Sequence, residues 1–231
     1  MSTHGPQSPP LLQLPIPVLD TELLASVNAF VFEYMSKYDN SHDYQHILRV
    51  VSNSNRILQN EIIANPSATY NTTILFLAAL LHDVGDHKYI KPGEDVENQI
   101  ANILKQRGAE EELAFTVQNI VKNVGYTNEI KNSESVAQAL QKYPELAIVQ
   151  DADRLDAIGA VGVARCFSFG AAKFPGQPMS RAIDHFEEKL YKLADMMKTK
   201  TGKEMAQRRN KVLQDFAKEW EEETKLSFAL Q

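Results

Sequence analysis

The most hydrophobic run of this 231-residue chain, Ile74-Leu75-Phe76-Leu77-Ala78-Ala79-Leu80-Leu81, ends on His82-Asp83. With its flanks it covers Thr73–Val84, about 12 residues, which is long for a strand and far short of the roughly 20 needed to span a bilayer. A helix apolar on nearly every side has to be buried among other elements, so this segment is predicted as a buried helix. Gly85 suits its C-terminal end.

The flanking sequence repeats the helical pattern. Asp20–Tyr38 places Leu23, Leu24, Val27, Phe30, Val31 and Tyr34 at helical spacing, and His46–Ile63 does so with Ile47, Val50, Val51, Ile57 and Leu58. Asp95–Arg107 and Glu111–Val124 are each closed by a glycine, Pro144 suits the first turn of a helix Glu145–Phe169, and Gln177–Thr199 and Lys203–Thr224 complete the chain. No alternating β pattern and no internal repeat is present. The expected fold is all-α, a compact single-domain bundle of roughly eight helices. Five prolines among the first 17 residues predict an extended or disordered tail over 1–18, ahead of one domain over 19–231.

Composition narrows the function. A single cysteine, Cys166, excludes a disulfide framework and a cysteine-based zinc module, and reads as a small core hydrophobe. A net charge of −6 argues against non-specific nucleic-acid binding. The proline-broken start lacks the basic region of a signal peptide, so a cytoplasmic location is expected, with the nucleus as the alternative and no membrane partner.

Three clusters place ionisable groups against apolar surroundings. His82-Asp83 ends the apolar run, where an unpaired buried carboxylate costs several kcal/mol. A bound cation would remove that cost; a backbone hydrogen bond for His82 and an exposed Asp83 would do so too. In Ser41-His42-Asp43-Tyr44-Gln45-His46-Ile47-Leu48-Arg49-Val50, His42 and His46 share a helix face, with Arg49 one turn on. In Val149-Gln150-Asp151-Ala152-Asp153-Arg154-Leu155-Asp156, three carboxylates lie between apolar flanks, Asp153 and Asp156 on one face and Arg154 on another.

The ordered pieces His46, His82-Asp83 and Asp153 resemble the H…HD…D signature of the HD-domain superfamily, all-α metal-dependent phosphohydrolases. HDYQHILRV, LLHDVGDHKY, VQDADRLDAIGAVGVAR and the stretch Ile183–Leu190 resemble the bacterial and fungal subgroup that includes nucleoside triphosphate pyrophosphohydrolases. The resemblance covers roughly residues 22–225. It implies His46, His82, Asp83 and Asp153 as metal ligands, with Asp151 as the rival for the last place. It implies Asp86 as the acid or base acting on the attacking water, and Lys88, Arg49, Arg154, His42, His185, Lys189 and Arg209 as substrate contacts; His87 is assigned no role. A mixed nitrogen and oxygen donor set favours Mn²⁺, with Mg²⁺, Co²⁺, Fe²⁺, Ni²⁺ and Zn²⁺ as alternatives.

The implied activity is hydrolysis of (deoxy)nucleoside triphosphates to monophosphate and pyrophosphate by metal-activated water, in a monomer or homodimer. A 5'-nucleotidase, phosphomonoesterase or phosphodiesterase of the same class is the alternative. A di-iron oxygenase would need further histidines, and none lies between His87 and His185; a non-catalytic regulator would not need the complete ligand set. Residues 176–231 carry 11 Lys/Arg and 10 Asp/Glu, against 13 and 20 in residues 1–175. Some of those C-terminal cations are expected to fold over the metal site as a phosphate clamp.

Overall fold

The computed structural model describes residues 8–18, 20–39, 42–85 and 97–229. Among these the chain is all-α, with eleven α-helices, one 3₁₀ segment and no strand. In order they are α1 (Thr21–Met35), α2 (Tyr44–Ala64), α3 (Thr72–Leu81), α4 (Gln99–Lys105), α5 (Glu111–Lys122), α6 (Tyr126–Lys131), α7 (Ser133–Lys142), α8 (Pro144–Asp156), α9 (Gly159–Lys173), α10 (Ser180–Glu188), the 3₁₀ segment Leu190–Met196, and α11 (Lys200–Thr224).

Local chemistry starts several of these helices. Asp20, Asp43, Asn71 and Thr199 each accept, through a side-chain oxygen, a backbone N–H of the first turn of the helix that follows. Pro144 occupies the first turn of α8.

The apolar run is the centre of the fold. Every residue of α3 from Leu75 to Leu81 is completely buried, and α1, α2, α5 and α8 pack around it. Truncating Phe76 to alanine would cost about 3–5 kcal/mol, the usual penalty for emptying a core aromatic site. The most extensive helix pairing is that of α2 with α8, and α11 closes the bundle against α8, α9, α2 and the 3₁₀ segment.

The helices depart from the sequence expectation at several points. Glu145–Phe169 is not one helix. It breaks at Ala157-Ile158, and α9 leaves α8 at 68°. Ile158 is extended and Gly159 has φ +76°, a left-handed conformation that glycine adopts without strain. The apolar pattern continues through the break, so periodicity alone did not reveal it. Helices α6 and α7 arise where no pattern was evident, because they are polar and bury only Val136 between them. Residues 8–18, within the proline-rich stretch, form no helix or strand; Pro10 O accepts from Asn28 Nδ2 at 2.9 Å, Pro17 O accepts from Thr72 Oγ1 at 2.8 Å, and Val18 is buried. Gln177–Thr199 is likewise divided, into α10 and the 3₁₀ segment.

No single helix among the described residues is long and apolar enough to cross a membrane; α8 and α9 meet that test only jointly, as a bent pair.

Candidate metal centre

Side chains from three elements converge where α2 crosses the end of α3 and the last turns of α8. The aspartate cap of α2 fixes the start of that helix, since Asp43 Oδ1 accepts from His46 N at 3.1 Å. His46 then points inward from the first turn, 1% exposed. His82 is the C-cap of α3, with Asp83 next to it.

The four predicted ligands meet. His46 Nε2 lies 3.1 Å from His82 Nε2, 3.2 Å from Asp83 Oδ2 and 3.6 Å from Asp153 Oδ1. His82 Nε2 lies 3.6 Å from Asp83 Oδ2 and 3.7 Å from Asp153 Oδ1. The back of each imidazole is held by an acceptor: His46 Nδ1 donates to Asp156 Oδ2 at 2.7 Å, and His82 Nδ1 to Ala79 O at 2.9 Å. A neutral ring that donates through Nδ1 carries its lone pair on Nε2. Two such lone pairs therefore face each other with a carboxylate oxygen of Asp83 and one of Asp153 each within 4 Å of both, an arrangement that a positive charge between them would reconcile. Asp83 Oδ2 is buried and accepts no hydrogen bond, the condition of a ligand atom aimed at a cation. His46, His82 and Asp83 form a group able to hold a metal ion.

Burial alone would lower the His46 pKa, but the Asp156 hydrogen bond and the Asp83 carboxylate outweigh it and raise it to about 9. Burial alone would raise Asp83, yet His82 and His46 beside it hold its carboxyl well below the usual range.

Asp156 organises the centre from behind. It is buried, and besides His46 it accepts from Arg49 Nε at 2.8 Å, Arg49 NH2 at 3.1 Å and Arg165 NH1 at 3.1 Å. Burial would raise its pKa, but these donors depress it, so it is an anion that orients His46. Neither Asp156 nor Arg165 is among the site residues expected from the sequence. Asp156 carried a signal, three residues after Asp153 on the same face. Arg165 closes the family-like stretch VQDADRLDAIGAVGVAR, but nine residues along one helix would set it about 13 Å from Asp156 and on the opposite side. The break at Gly159 brings it back.

A cavity of about 250 Å³ opens over the cluster, reached by Asp83 and Asp153 and lined also by His42, Arg165, Phe169, His185 and Lys189. His42, His185 and Lys189 are thus among the residues around the cavity over the cluster. The His42 ring centroid is 6.2 Å from that of His46 and 5.8 Å from that of Phe169, and burial lowers its pKa. Lys189 Nζ sits 4.9 Å from the Tyr126 ring centroid, and His185 Nδ1 lies 3.4 Å from Glu188 Oε2.

Three of the expected substrate contacts are elsewhere. Arg154 is buried on the far side of α8, where it donates to Glu129 Oε2 and to Met196 O. Its position next to Asp153 turned it about 100° away from the cavity. Arg49 is engaged with Asp156. Arg209 donates to Leu155 O and to Asn53 Oδ1. Arg49 and Arg209 line a second cavity, not the one over the cluster. Asp151 is also directed away: it is buried and accepts from Lys198 N and Thr199 N at 2.8 Å and from Thr199 Oγ1 at 2.7 Å. Gly202 permits this closeness, since a Cβ there would lie 2.2 Å from Asp151 Oδ2. Asp86, His87 and Lys88 lie outside the described residues.

Residues 43–158 match the HD domain family. Over 205 residues the chain is 32% identical to the uncharacterized protein YpgQ of Bacillus subtilis (strain 168), an alignment covering 85% of this chain and 91% of that protein. The crystal structure of Bacillus subtilis YpgQ in complex with ADP has the same fold, with a TM-score of 0.63 at 30% identity over 87% of this chain and 94% of that one. An HD-superfamily hydrolase from Bacillus thuringiensis matches with a TM-score of 0.62 at 31% identity, over 87% of this chain and 95% of its own. The family match runs from the cap of α2 to the end of α8, the stretch that holds all four converging side chains, and the chain accordingly belongs to the HD-domain family of metal-dependent phosphohydrolases.

Proposed function

We propose that the chain hydrolyses (deoxy)nucleoside triphosphates to the monophosphate and pyrophosphate, with His46, His82, Asp83 and Asp153 holding the divalent cation. The observation that carries the ligand assignment is the pair of Nε2 atoms facing each other at 3.1 Å beside an unsatisfied Asp83 Oδ2. Two imidazoles and two carboxylates suit a six-coordinate ion with positions left for water and phosphate oxygens, and Mn²⁺ is the favoured choice. When bound, the cation supplies Lewis-acid activation of water and neutralises charge on phosphate.

The remaining work falls to side chains around the mouth. Arg165 and Lys189 bring positive charge into the cavity, where phosphate oxygens would take a forked guanidinium and an ammonium. Phe169 and the half-buried His42 offer flat surfaces beside them. Asp86, four residues after His82, is the group proposed to take the proton of the attacking water. The nucleotide class is supported by the resemblance of the motifs and by the ADP complex of YpgQ.

The test is metal analysis of the purified protein, then a panel of nucleoside mono-, di- and triphosphates scored separately for phosphate and pyrophosphate. Triphosphates are expected to release pyrophosphate. Orthophosphate from monophosphates alone would replace this reading with a 5'-nucleotidase.

A further inference from the structure

Behind Asp156, on the side away from the metal centre, lies a larger cavity of about 470 Å³. Two helices line it with faces of matching period. Arg49, Asn53 and Arg56 come from α2, and Met205, Arg208, Arg209 and Val212 from α11, spaced so that each set shares one face. The third wall is the start of α9, Ile158–Val161.

Charge in this cavity is one-sided. Four guanidinium groups face one carboxylate, Asp156, which already accepts from His46, Arg49 and Arg165. Among the described residues no carboxylate pairs with Arg56, Arg208 or Arg209. Arg56 and Arg208 are close enough to Arg209 to lower its pKa, after the larger effect of burial. Packing like charges together without counter-charge is unfavourable, and nothing in the core requires it, since Arg56 and Arg208 are exposed.

The α9 wall adds donors of the same sign. Ile158 caps this 15-residue helix without a side-chain hydrogen bond, and the residues of this uncapped start, Ile158–Val161, line the cavity. Gly159 contributes no side chain, and a Cβ there would lie 3.1 Å from the Arg209 stem. Guanidinium forks from two helices and an uncapped helix N-terminus together make a receptor for phosphate oxygens.

We propose that this cavity is a second ligand site, specific for a small phosphate-bearing anion, set back to back with the metal centre across Asp156. It takes its charge from Arg56, Arg208, Arg209 and the N-terminus of α9, with Arg49 shared between Asp156 and the ligand. The site is separate from the proposed substrate cavity and does not depend on the nucleotide reading.

The experiment is calorimetric titration of the full-length protein with inorganic pyrophosphate, comparing wild type with the double variant Arg56→Gln/Arg208→Gln and with Lys189→Ala. The double variant is expected to lose a binding event, or to weaken it by about tenfold or more, as removal of charge-assisted hydrogen bonds does; Lys189→Ala should retain that event. Arg208→Gln alone should show an intermediate loss, which keeps the test decisive if the double variant folds poorly. Arg56→Lys/Arg208→Lys should restore part of the affinity. Pyrophosphate binding that is identical in wild type and in the arginine variants, or that disappears only in Lys189→Ala, overturns the proposal. A protein that hydrolyses no nucleotide but keeps the arginine-dependent event upholds this site and removes only the reading of the other.

Discussion

The two cavities on either side of Asp156 are built from neighbouring residues of the same helices, yet their chemistry is opposite. On one side acceptors converge: two imidazole nitrogens and the carboxylates of Asp83 and Asp153. On the other side donors converge, the arginines of α2 and α11. Helix α2 serves both, with His46 turned to the first cavity and Arg49, three residues on, lining the second and holding Asp156. A step of three residues turns a helix face by about 60°, enough to switch which cavity a side chain enters. Residue type alone therefore does not say which site a charge belongs to. Asp156 connects the two sides, accepting from His46, Arg49 and Arg165.

The strongest way to break this comparison is to remove a group from the acceptor side. Asp83→Ala is expected to abolish metal binding and hydrolysis together, a loss of about 10³-fold or more in rate, as when the cation that activates water is lost; metal content and turnover of the same preparation measure it. Asp86→Ala should instead keep its metal and lose most turnover, and equal loss of metal in both variants would take the proton-transfer role from Asp86. Cutting the shared group is milder. Asp156→Asn should lower metal affinity by about 10–100-fold, the usual effect of removing the partner that orients a ligating histidine, and competition with a fluorescent chelator would read it.

Acidity sharpens the acceptor side in another way. With the His46 pKa raised to about 9 in the free protein, metal must displace a proton below that pH. Apparent metal affinity should rise by about tenfold per pH unit on going from pH 7 to 8 and level off near 9. A flat profile over that range would show that His46 does not ligate. The smallest effect is expected at the third carboxylate of α8. Asp151→Ala should cost about 1–3 kcal/mol of stability by leaving the N–H groups of Lys198 and Thr199 unpaired, measured by denaturant unfolding, while the folded variant binds metal as wild type does.

The three aspartates of α8 also show how far sequence reading reaches. Asp151, Asp153 and Asp156 share a residue type, a helix and an apolar setting. Asp153 could be preferred over Asp151 from the wording around it; in the structure Asp153 lies near the two histidines and Asp151 is spent on the start of α11. Asp156 was visible only as a neighbour on the same face. Its pairing with Arg165 is not visible in the sequence, because an unbroken helix would put the two on opposite sides. The arginines were harder. Arg49, Arg154 and Arg209 looked alike as candidates for phosphate, and a long side chain can snorkel toward either of two sites, so only their observed partners separate them.

Most of the fold was legible because hydrophobic periodicity is a local property. The apolar run of α3, the stripes of α1 and α2, the proline that starts α8 and the order of His46, His82-Asp83 and Asp153 are all written along the chain. They determine an all-α bundle with a buried helix that delivers an ionisable pair to its end. What the chain does across distance was decided by tertiary structure. The 68° turn at Gly159 closes Arg165 onto Asp156, and the docking of α11 on α2 gathers four arginines into one cavity. Such contacts depend on the relative placement of whole helices, and a single glycine with positive φ can redirect every residue beyond it without altering the pattern of apolar positions.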